Sequence, residues 1–254
     1  MFKSMSEQKI LDLLKSNQFT KAKQFIENLL KSEKENITYI FYYGLILANE
    51  RKYRDAINFF EKALAADKSH YDSNFNIAGC YQGLLIFDKA IEYYENCSKI
   101  NTNKFEPYHQ IGICYKQLRK YEDSISNLKK ALKISVNAKS FYILGNVYRE
   151  NGQFEEAKRS FEKSIDINKE FTQSKLSLAN LEIDYENYER AGRMLDEIIK
   201  SNESETVLIS AKIMIGNILK SKGDFEKAIK INQDILEKDT NNVDALYNIS
   251  QCYL

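Results

Sequence analysis

Aromatic residues recur along this chain at an interval of 34 residues, or within three residues of that interval. The recurring aromatics are Phe19, Tyr53, Phe87, Tyr121, Phe154, Tyr188 and Phe225. A small residue follows each of them three positions later, and another small residue precedes most of them by nine positions. Coinciding features in one period of this length predict a stack of supersecondary units, each of which buries its apolar side only against its neighbours.

Proline and glycine usage supports helical units. The chain has one proline and nine glycines in 254 residues, which favours long uninterrupted helices over strands and turns. Gly152 and Gly223 fall after the first helix of a unit, where a left-handed cap is needed. The glycines that fall where the two helices of a unit approach closely are Gly44, Gly112, Gly145 and Gly216.

The fifth unit shows the most complete set of recurring residue types. Its members are Phe141, the pair Leu144 and Gly145, then Tyr148, Ala157 and Phe161. This order resembles the tetratricopeptide repeat, a helix-turn-helix unit of 34 residues. The resemblance implies an all-α fold, a right-handed superhelical solenoid of antiparallel helix pairs that forms a single domain over residues 1–254. The expected repeats are 3–36, 37–70, 71–104, 105–137, 138–171, 172–208 and 209–242, with a partial eighth at 243–254.

Three repeats depart from this pattern. Lys9 and Ile10 replace the Leu-Gly pair in the first repeat, Glu182 replaces the tyrosine in the sixth, and Asn232 replaces the phenylalanine in the seventh. We expect these repeats to pack more loosely or to serve as edges.

Charge and composition exclude several classes of partner. With 37 basic and 36 acidic residues the net charge is +1, so no overall field attracts nucleic acid or an anionic membrane. The longest apolar run, Tyr39 to Ala48, is far shorter than the roughly 20 residues that span a bilayer.

Met1 to Gln8 contains no apolar signal-like segment. Four cysteines without a C-x-x-C pair are typical of core residues in a reducing compartment, and we predict a cytoplasmic protein.

Catalytic and metal-binding patterns are missing from the sequence. It has no phosphate-binding loop, no dinucleotide-binding glycine motif, no zinc-protease motif and no nucleophile elbow. Its two histidines, His70 and His109, have no cysteine or carboxylate at metal-ligand spacing on their own helices. We therefore predict a protein that is not an enzyme and uses neither a cofactor nor a metal.

In the tetratricopeptide-repeat family the first helix of each repeat lines a concave groove, and the resemblance implies the same geometry here. Aromatic residues and His109 occupy the fifth position of the front repeats, whereas asparagines occupy the ninth position of the later ones. The residues expected to contact a protein or peptide partner are Phe41, Phe75, Asn76, His109, Gln110, Lys116, Tyr142, Asn146, Arg149, Asn180 and Asn217.

The asparagines at the ninth position form an expected amide ladder, made of Asn146, Asn180 and Asn217. Each amide offers an acceptor and two donors, so successive rungs can hydrogen-bond the backbone of an extended peptide. The ladder resembles the asparagine-lined groove of sugar-transferring enzymes that carry such repeats. Two plainer interpretations stay open: polar residues are ordinary on an exposed helix face, and an aromatic such as Phe41 can belong to the core.

Two functions remain open at this point. The first is an interaction scaffold that holds an extended peptide or a partner helix and performs no chemistry. The second is the recognition arm of a longer enzyme, such as a glycosyl- or sulfotransferase. The last predicted helix carries Leu246, Ile249 and Tyr253 on one apolar face, which has no second helix to cover it. That face is a candidate surface for self-association.

Overall fold

The computed structural model describes residues 4–254, so residues 1–3, where the first predicted repeat begins, lie outside the described part. All regular structure in 4–254 is helical, which confirms the predicted all-α helical-repeat class. The helices are α1 (Met5–Lys15), α2 (Phe19–Ser32), α3 (Ile37–Asn49), α4 (Tyr53–Ala66), α5 (Tyr71–Gly83), α6 (Phe87–Ile100), α7 (Glu106–Gln117), α8 (Tyr121–Ile134), α9 (Ala138–Glu150), α10 (Phe154–Ile167), α11 (Thr172–Asp184), α12 (Tyr188–Lys200), α13 (Glu205–Ser221), α14 (Phe225–Leu236) and α15 (Val243–Cys252).

The chain divides into two compact units, unit 1 over residues 1–136 and unit 2 over residues 137–254. Unit 1 contains α1 to α8 and unit 2 contains α9 to α15. Within each unit every helix contacts the next one along the chain. The odd-numbered helices, which we call first helices, also contact one another: α1 with α3 and α3 with α5 in unit 1, and α9 with α11, α11 with α13 and α13 with α15 in unit 2. Each unit is therefore a stack of helix pairs. The expectation of one domain over the whole chain stays a prediction.

Close helix crossings explain the recurring small residues. A β-carbon placed on Gly44 would lie 2.7 Å from the ring of Phe60, and one on Gly145 would lie 2.6 Å from the ring of Phe161. Both phenylalanines are fully buried on the second helix of the same pair. A glycine and a large aromatic thus fit together across these two crossings, and the close approach at the glycines is the one that the sequence predicted.

The turn within each helix pair uses the left-handed backbone region at one recurring position, two residues after the first helix ends. The residues there have φ between 55° and 80°, and they are Asn17, Arg51, Leu85, Arg119, Gly152, Glu186 and Gly223. The two glycines confirm the predicted caps. The other members do not stand out in the sequence, because only glycine adopts this region without steric cost.

Polar side chains cap several first helices. Asn36, Asn137 and Asn242 each accept a hydrogen bond from a backbone N–H in the first turn of the helix that follows. His70 acts in the same way, since its Nδ1 accepts from the backbone N–H of Ser73 at 3.2 Å. These caps satisfy backbone donors that have no partner inside the helix.

Candidate functional site

The aromatic residues predicted to contact a partner in unit 1 are partly core residues. The Phe41 ring centroid lies 5.6 Å from that of Phe60 and 5.4 Å from that of His70. The Phe75 ring lies 5.1 Å from that of Tyr94. Both Phe41 and Phe75 are half-buried and pack against the buried clusters of their repeats. Each phenyl ring therefore has fixed packing contacts and also leaves part of its surface accessible.

The polar residues predicted beside these aromatics are partly accessible. Asn76, Gln110 and Lys116 are half-buried on α5 and α7. The Asn76 side chain donates from Nδ2 to the backbone carbonyl of Asp72 at 2.7 Å, so its Oδ1 is the atom left to accept from a partner.

His109 is the least accessible of the residues predicted to contact a partner. Its side chain is only 4% exposed, and its ring lies 6.4 Å from that of Phe105. His109 is one of several buried residues of α7, as are Ile111 and Cys114. His109 is therefore not accessible in the free chain, and its contact with a partner stays a prediction.

In unit 2 the amide ladder retains two accessible rungs. Asn180 on α11 and Asn217 on α13 are half-buried, whereas Asn146 on α9 is only 8% exposed. Asn146 lies within five consecutive buried residues, 144–148, because α9 packs against both α10 and α11. Two of the three asparagines are therefore accessible in the free chain, and the ladder itself stays a prediction.

Two further predicted residues lie on α9. The Tyr142 ring is half-buried at 5.5 Å from that of Phe171, and Arg149 is half-buried in the last turn. With Asn180 and Asn217 they give unit 2 four accessible members of the predicted contact set. Unit 1 contributes Phe41, Phe75, Asn76, Gln110 and Lys116. We call these two groups the first-helix faces of unit 2 and unit 1.

A buried ionic cluster surrounds Glu182, whose role the sequence did not indicate. Glu182 is 1% exposed, and its Oε1 lies 3.0 Å from Lys158 Nζ and 2.8 Å from an Arg190 guanidinium nitrogen. Asn187 donates to its Oε2 at 2.7 Å. Burial disfavours the charged carboxylate, but the hydrogen bonds from Lys158 and Asn187 and the charge of Arg190 outweigh burial and lower the pKa of Glu182. The only sign of this cluster in the sequence was that Glu182, a charged residue, replaces the tyrosine of the repeat pattern.

A polar cleft of about 580 Å³ adjoins this cluster. Lys158, Glu182, Tyr188, Arg193 and Lys222 contribute to its lining. Cations and carboxylates both line it, and Glu182 neutralises two of the cations. The cluster therefore stabilises the α11–α12 turn rather than presenting a free charge.

The thiols are poorly suited to chemistry. Burial raises the pKa of Cys80 to about 11 and the pKa values of Cys97 and Cys114 to about 12, so these thiols stay protonated near neutral pH. Over residues 4–254 no three side chains of histidine, cysteine, aspartate or glutamate are grouped so that they could hold a metal. In the same range no helix is long and apolar enough to cross a bilayer.

Comparison with protein families matches three parts of the chain. Two tetratricopeptide-repeat models match residues 138–171 and 209–236. A model of anaphase-promoting complex (cyclosome) subunit 3 matches residues 49–131. No curated protein sequence matches significantly.

Solved structures show the same helical-repeat fold. A tetratricopeptide repeat protein from Parabacteroides merdae has a TM-score of 0.71 at 16% identity, with 99% of this chain and 100% of that chain covered. YrrB, described as a tetratricopeptide-repeat protein with an unusual peptide-binding site, has a TM-score of 0.58 at 18% identity, with 74% and 96% covered. The Cut9–Hcn1 hetero-tetramer of the anaphase-promoting complex has a TM-score of 0.70 at 16% identity, with 96% of this chain but 48% of that chain covered. At these identities the likeness shows the fold alone.

Proposed function

Because tetratricopeptide-repeat models match two parts of this chain, we propose that it is a protein-interaction scaffold. It holds an extended peptide or a partner helix against the first helices of its repeats, and it catalyses no reaction. The observation that carries the proposal is the composition of the first-helix faces, where half-buried aromatic and amide side chains lie on helices that pack side by side. Two solved structures with this fold support the proposal: YrrB is described as having a peptide-binding site, and the Cut9–Hcn1 structure is a hetero-tetramer.

The two faces suit different parts of a partner. In unit 1, Phe41 and Phe75 have restricted rings that can bury apolar side chains at a small cost in conformational entropy. In unit 2, Asn180 and Asn217 occupy equivalent positions in successive repeats. Their amides can form hydrogen bonds with the backbone of an extended segment, whatever side chains that segment carries. Lys116 and Arg149 add positive charge at the C-terminal ends of α7 and α9.

Affinity purification from the source cell tests the scaffold function. The bait is the full chain, compared with the double variant Asn180→Ala/Asn217→Ala and with a control, Asn58→Ala/Gln233→Ala, whose two amides are exposed on second helices. We expect the first variant to lose partners that the wild type and the control retain, with melting temperatures unchanged in all three. Identical partner lists for all three proteins would contradict binding through the amide pair.

We further propose a reducing cytoplasmic compartment, because Cys80, Cys97, Cys114 and Cys252 all carry free thiols. Immunofluorescence of the tagged full chain tests this location. Staining confined to a secretory compartment would contradict it.

The exposed side of α15 is the proposed surface for self-association. Leu246 and Tyr247 are exposed there, Ile249 is half-buried, and the exposed Tyr253 follows directly after the helix. Sedimentation velocity over a range of concentrations should show dimer formation that Leu246→Lys abolishes. Leu85→Lys, a change at another exposed leucine, should leave it intact. A wild-type chain that is monomeric at every concentration would refute this surface.

A further inference from the structure

Gly79 lies in the middle of α5, although nothing in the packing of the free chain requires a glycine there. A β-carbon added to it would meet only the Tyr94 hydroxyl, at 3.8 Å, which is ordinary van der Waals contact. At Gly44 the corresponding distance is 2.7 Å, which leaves no room for a side chain. Gly79 does not have a positive φ either. Glycine in a helix interior is less favourable than alanine, so Gly79 lowers the stability of α5. Neither the packing around Gly79 nor its backbone conformation explains why a glycine is present.

The missing side chain leaves a gap on the first-helix face of unit 1. Phe75 is four residues before Gly79 and Gln82 is three residues after it, so all three lie on one side of α5. We call the space over Gly79 between these two side chains the Gly79 notch. Its base is formed by the buried Tyr94 hydroxyl, and Leu45 occupies the equivalent position on the adjacent helix α3.

The walls of the notch are held in place. The Phe75 ring stacks with that of Tyr71 at 5.9 Å and meets the Tyr94 ring edge-on at 5.1 Å. Gln82 Oε1 accepts a hydrogen bond from the Tyr94 hydroxyl at 3.0 Å, which leaves its Nε2 to donate to a partner. A recess with fixed walls can receive one side chain without paying for much rearrangement.

Acidic residues lie at one end of this face. Asp72 and Glu106 are exposed in the first turns of α5 and α7, and neither joins an ion pair in the described part of the chain. The cation over the neighbouring Tyr71 ring is Lys104, at 3.9 Å. Asp72 precedes Gly79 by seven residues, which places it about 10 Å away along the helix axis. A partner segment that fills the notch with an apolar side chain is therefore complementary in charge if it carries a basic residue about 10 Å from that side chain. In an extended segment this distance corresponds to roughly three residues.

We infer that the Gly79 notch is a specificity site that receives one leucine, methionine or phenylalanine side chain of a partner segment, with a neighbouring lysine or arginine of that segment directed toward Asp72. The inference rests on the proposed scaffold function and names the kind of segment that unit 1 selects. An apolar anchor in a recess with fixed walls provides affinity, and the charge pair sets the register.

Selection of peptides on the full chain provides the test. Random dodecapeptides displayed on phage are selected on the immobilised protein, and the recovered sequences are synthesised with a fluorescein label. Fluorescence anisotropy then compares their affinities for the wild type, Gly79→Leu, Gly79→Ala and Asp72→Asn. Gly192→Leu is the matched control, because Gly192 is also within a helix and a β-carbon there would meet nothing within 4 Å.

We expect recovered peptides to share a bulky apolar residue with a basic residue about three positions away. Gly79→Leu should weaken their binding by about tenfold or more, since the added side chain occupies the notch. Gly79→Ala should weaken it by a smaller factor while melting at or above the wild-type temperature, because alanine favours the helix. Asp72→Asn should also weaken binding, and Gly192→Leu should not.

If the peptides bind Gly79→Leu as tightly as the wild type, the Gly79 notch is not a specificity site. That result would not contradict the proposed scaffold function. If Gly79→Leu fails to fold, Gly79→Ala decides, and undiminished affinity for that variant overturns the inference. If no peptide is enriched, the notch is refuted as a peptide site. The affinity purification with the Asn180/Asn217 variant then reports on the scaffold function independently, since those residues lie in unit 2.

Discussion

Replacing Glu182 with glutamine should destabilise unit 2 by about 2 kcal/mol at neutral pH. The carboxylate is buried between Lys158, Arg190 and Asn187, with donor–acceptor distances of 3.0, 2.8 and 2.7 Å. Glutamine keeps the shape of the side chain but removes the negative charge. Its amide nitrogen would also point a donor toward groups that are themselves donors.

The expected magnitude follows from the exposure of the partners. Removing one member of a fully buried ion pair costs roughly 3–5 kcal/mol, because the remaining charge is left without compensation. Here the side chains of Lys158 and Arg190 are 24% and 41% exposed, so water can solvate them after the change. Arg190 also keeps Glu162 at 2.7 Å. These contacts reduce the expected cost to about 2 kcal/mol.

The same cluster should make stability depend on pH in acid. The pKa of Glu182 is lowered in the folded state, so the unfolded chain takes up the proton first as pH falls. Its contribution is complete above the ordinary glutamate value of 4.5 and is lost as pH falls through the lower, folded value. The gap in stability between the wild type and Glu182→Gln should therefore narrow below about pH 4.5.

Urea unfolding followed by circular dichroism measures both effects. Glu189→Gln is the control, because Glu189 is exposed in the first turn of α12 and should change stability by less than about 0.5 kcal/mol. A Glu182→Gln variant as stable as the control at neutral pH would refute the account of the cluster. If the stability difference between the wild type and Glu182→Gln stays unchanged in acid, the negative charge of Glu182 is not what stabilises the cluster.

Leu85→Gly should raise stability by about 0.5–1 kcal/mol, because Leu85 is 73% exposed and has φ of 61°, where leucine is strained and glycine is not; a lower melting temperature would contradict this. Ala157→Phe should overpack a fully buried crossing at a cost of about 1–3 kcal/mol and separate the melting of neighbouring repeats in calorimetry, whereas a single unshifted transition would refute the repeat register. Ellman's reagent should react rapidly with the half-buried Cys252 and, only after urea is added, with the buried thiols; native reaction at all four sites would contradict their burial. The buried thiols are those of Cys80, Cys97 and Cys114.

The repeat period predicted the helix pairs because it combines several independent constraints. A large aromatic such as Phe60 needs a glycine such as Gly44 across the crossing, and the sequence contains both at fixed spacing. The left-handed turns were only partly visible. Gly152 and Gly223 indicated two of them, but Leu85 adopts the same conformation because the two helices it joins must pack, which outweighs its own preference.

Accessibility at equivalent positions was harder to predict. Asn146, Asn180 and Asn217 hold the same position in their repeats, yet Asn146 is buried and the other two are half-buried. Likewise His109 is buried, whereas Phe75, one repeat earlier, is half-buried. The period specifies which side of a helix a residue occupies, but the exposure of that side depends on the size and placement of side chains from neighbouring helices.

By itself the sequence determined the all-α class and the helix pairing, because apolar spacing and small residues at crossings are local properties repeated many times. The tertiary structure alone decided that Glu182 forms a buried ionic cluster, that Asn146 and His109 lie in the interior, and that a β-carbon on Gly79 would meet only the Tyr94 hydroxyl. Each of these depends on side chains brought together from different helices, and contacts of that kind are made by packing rather than by the order of residues along one helix.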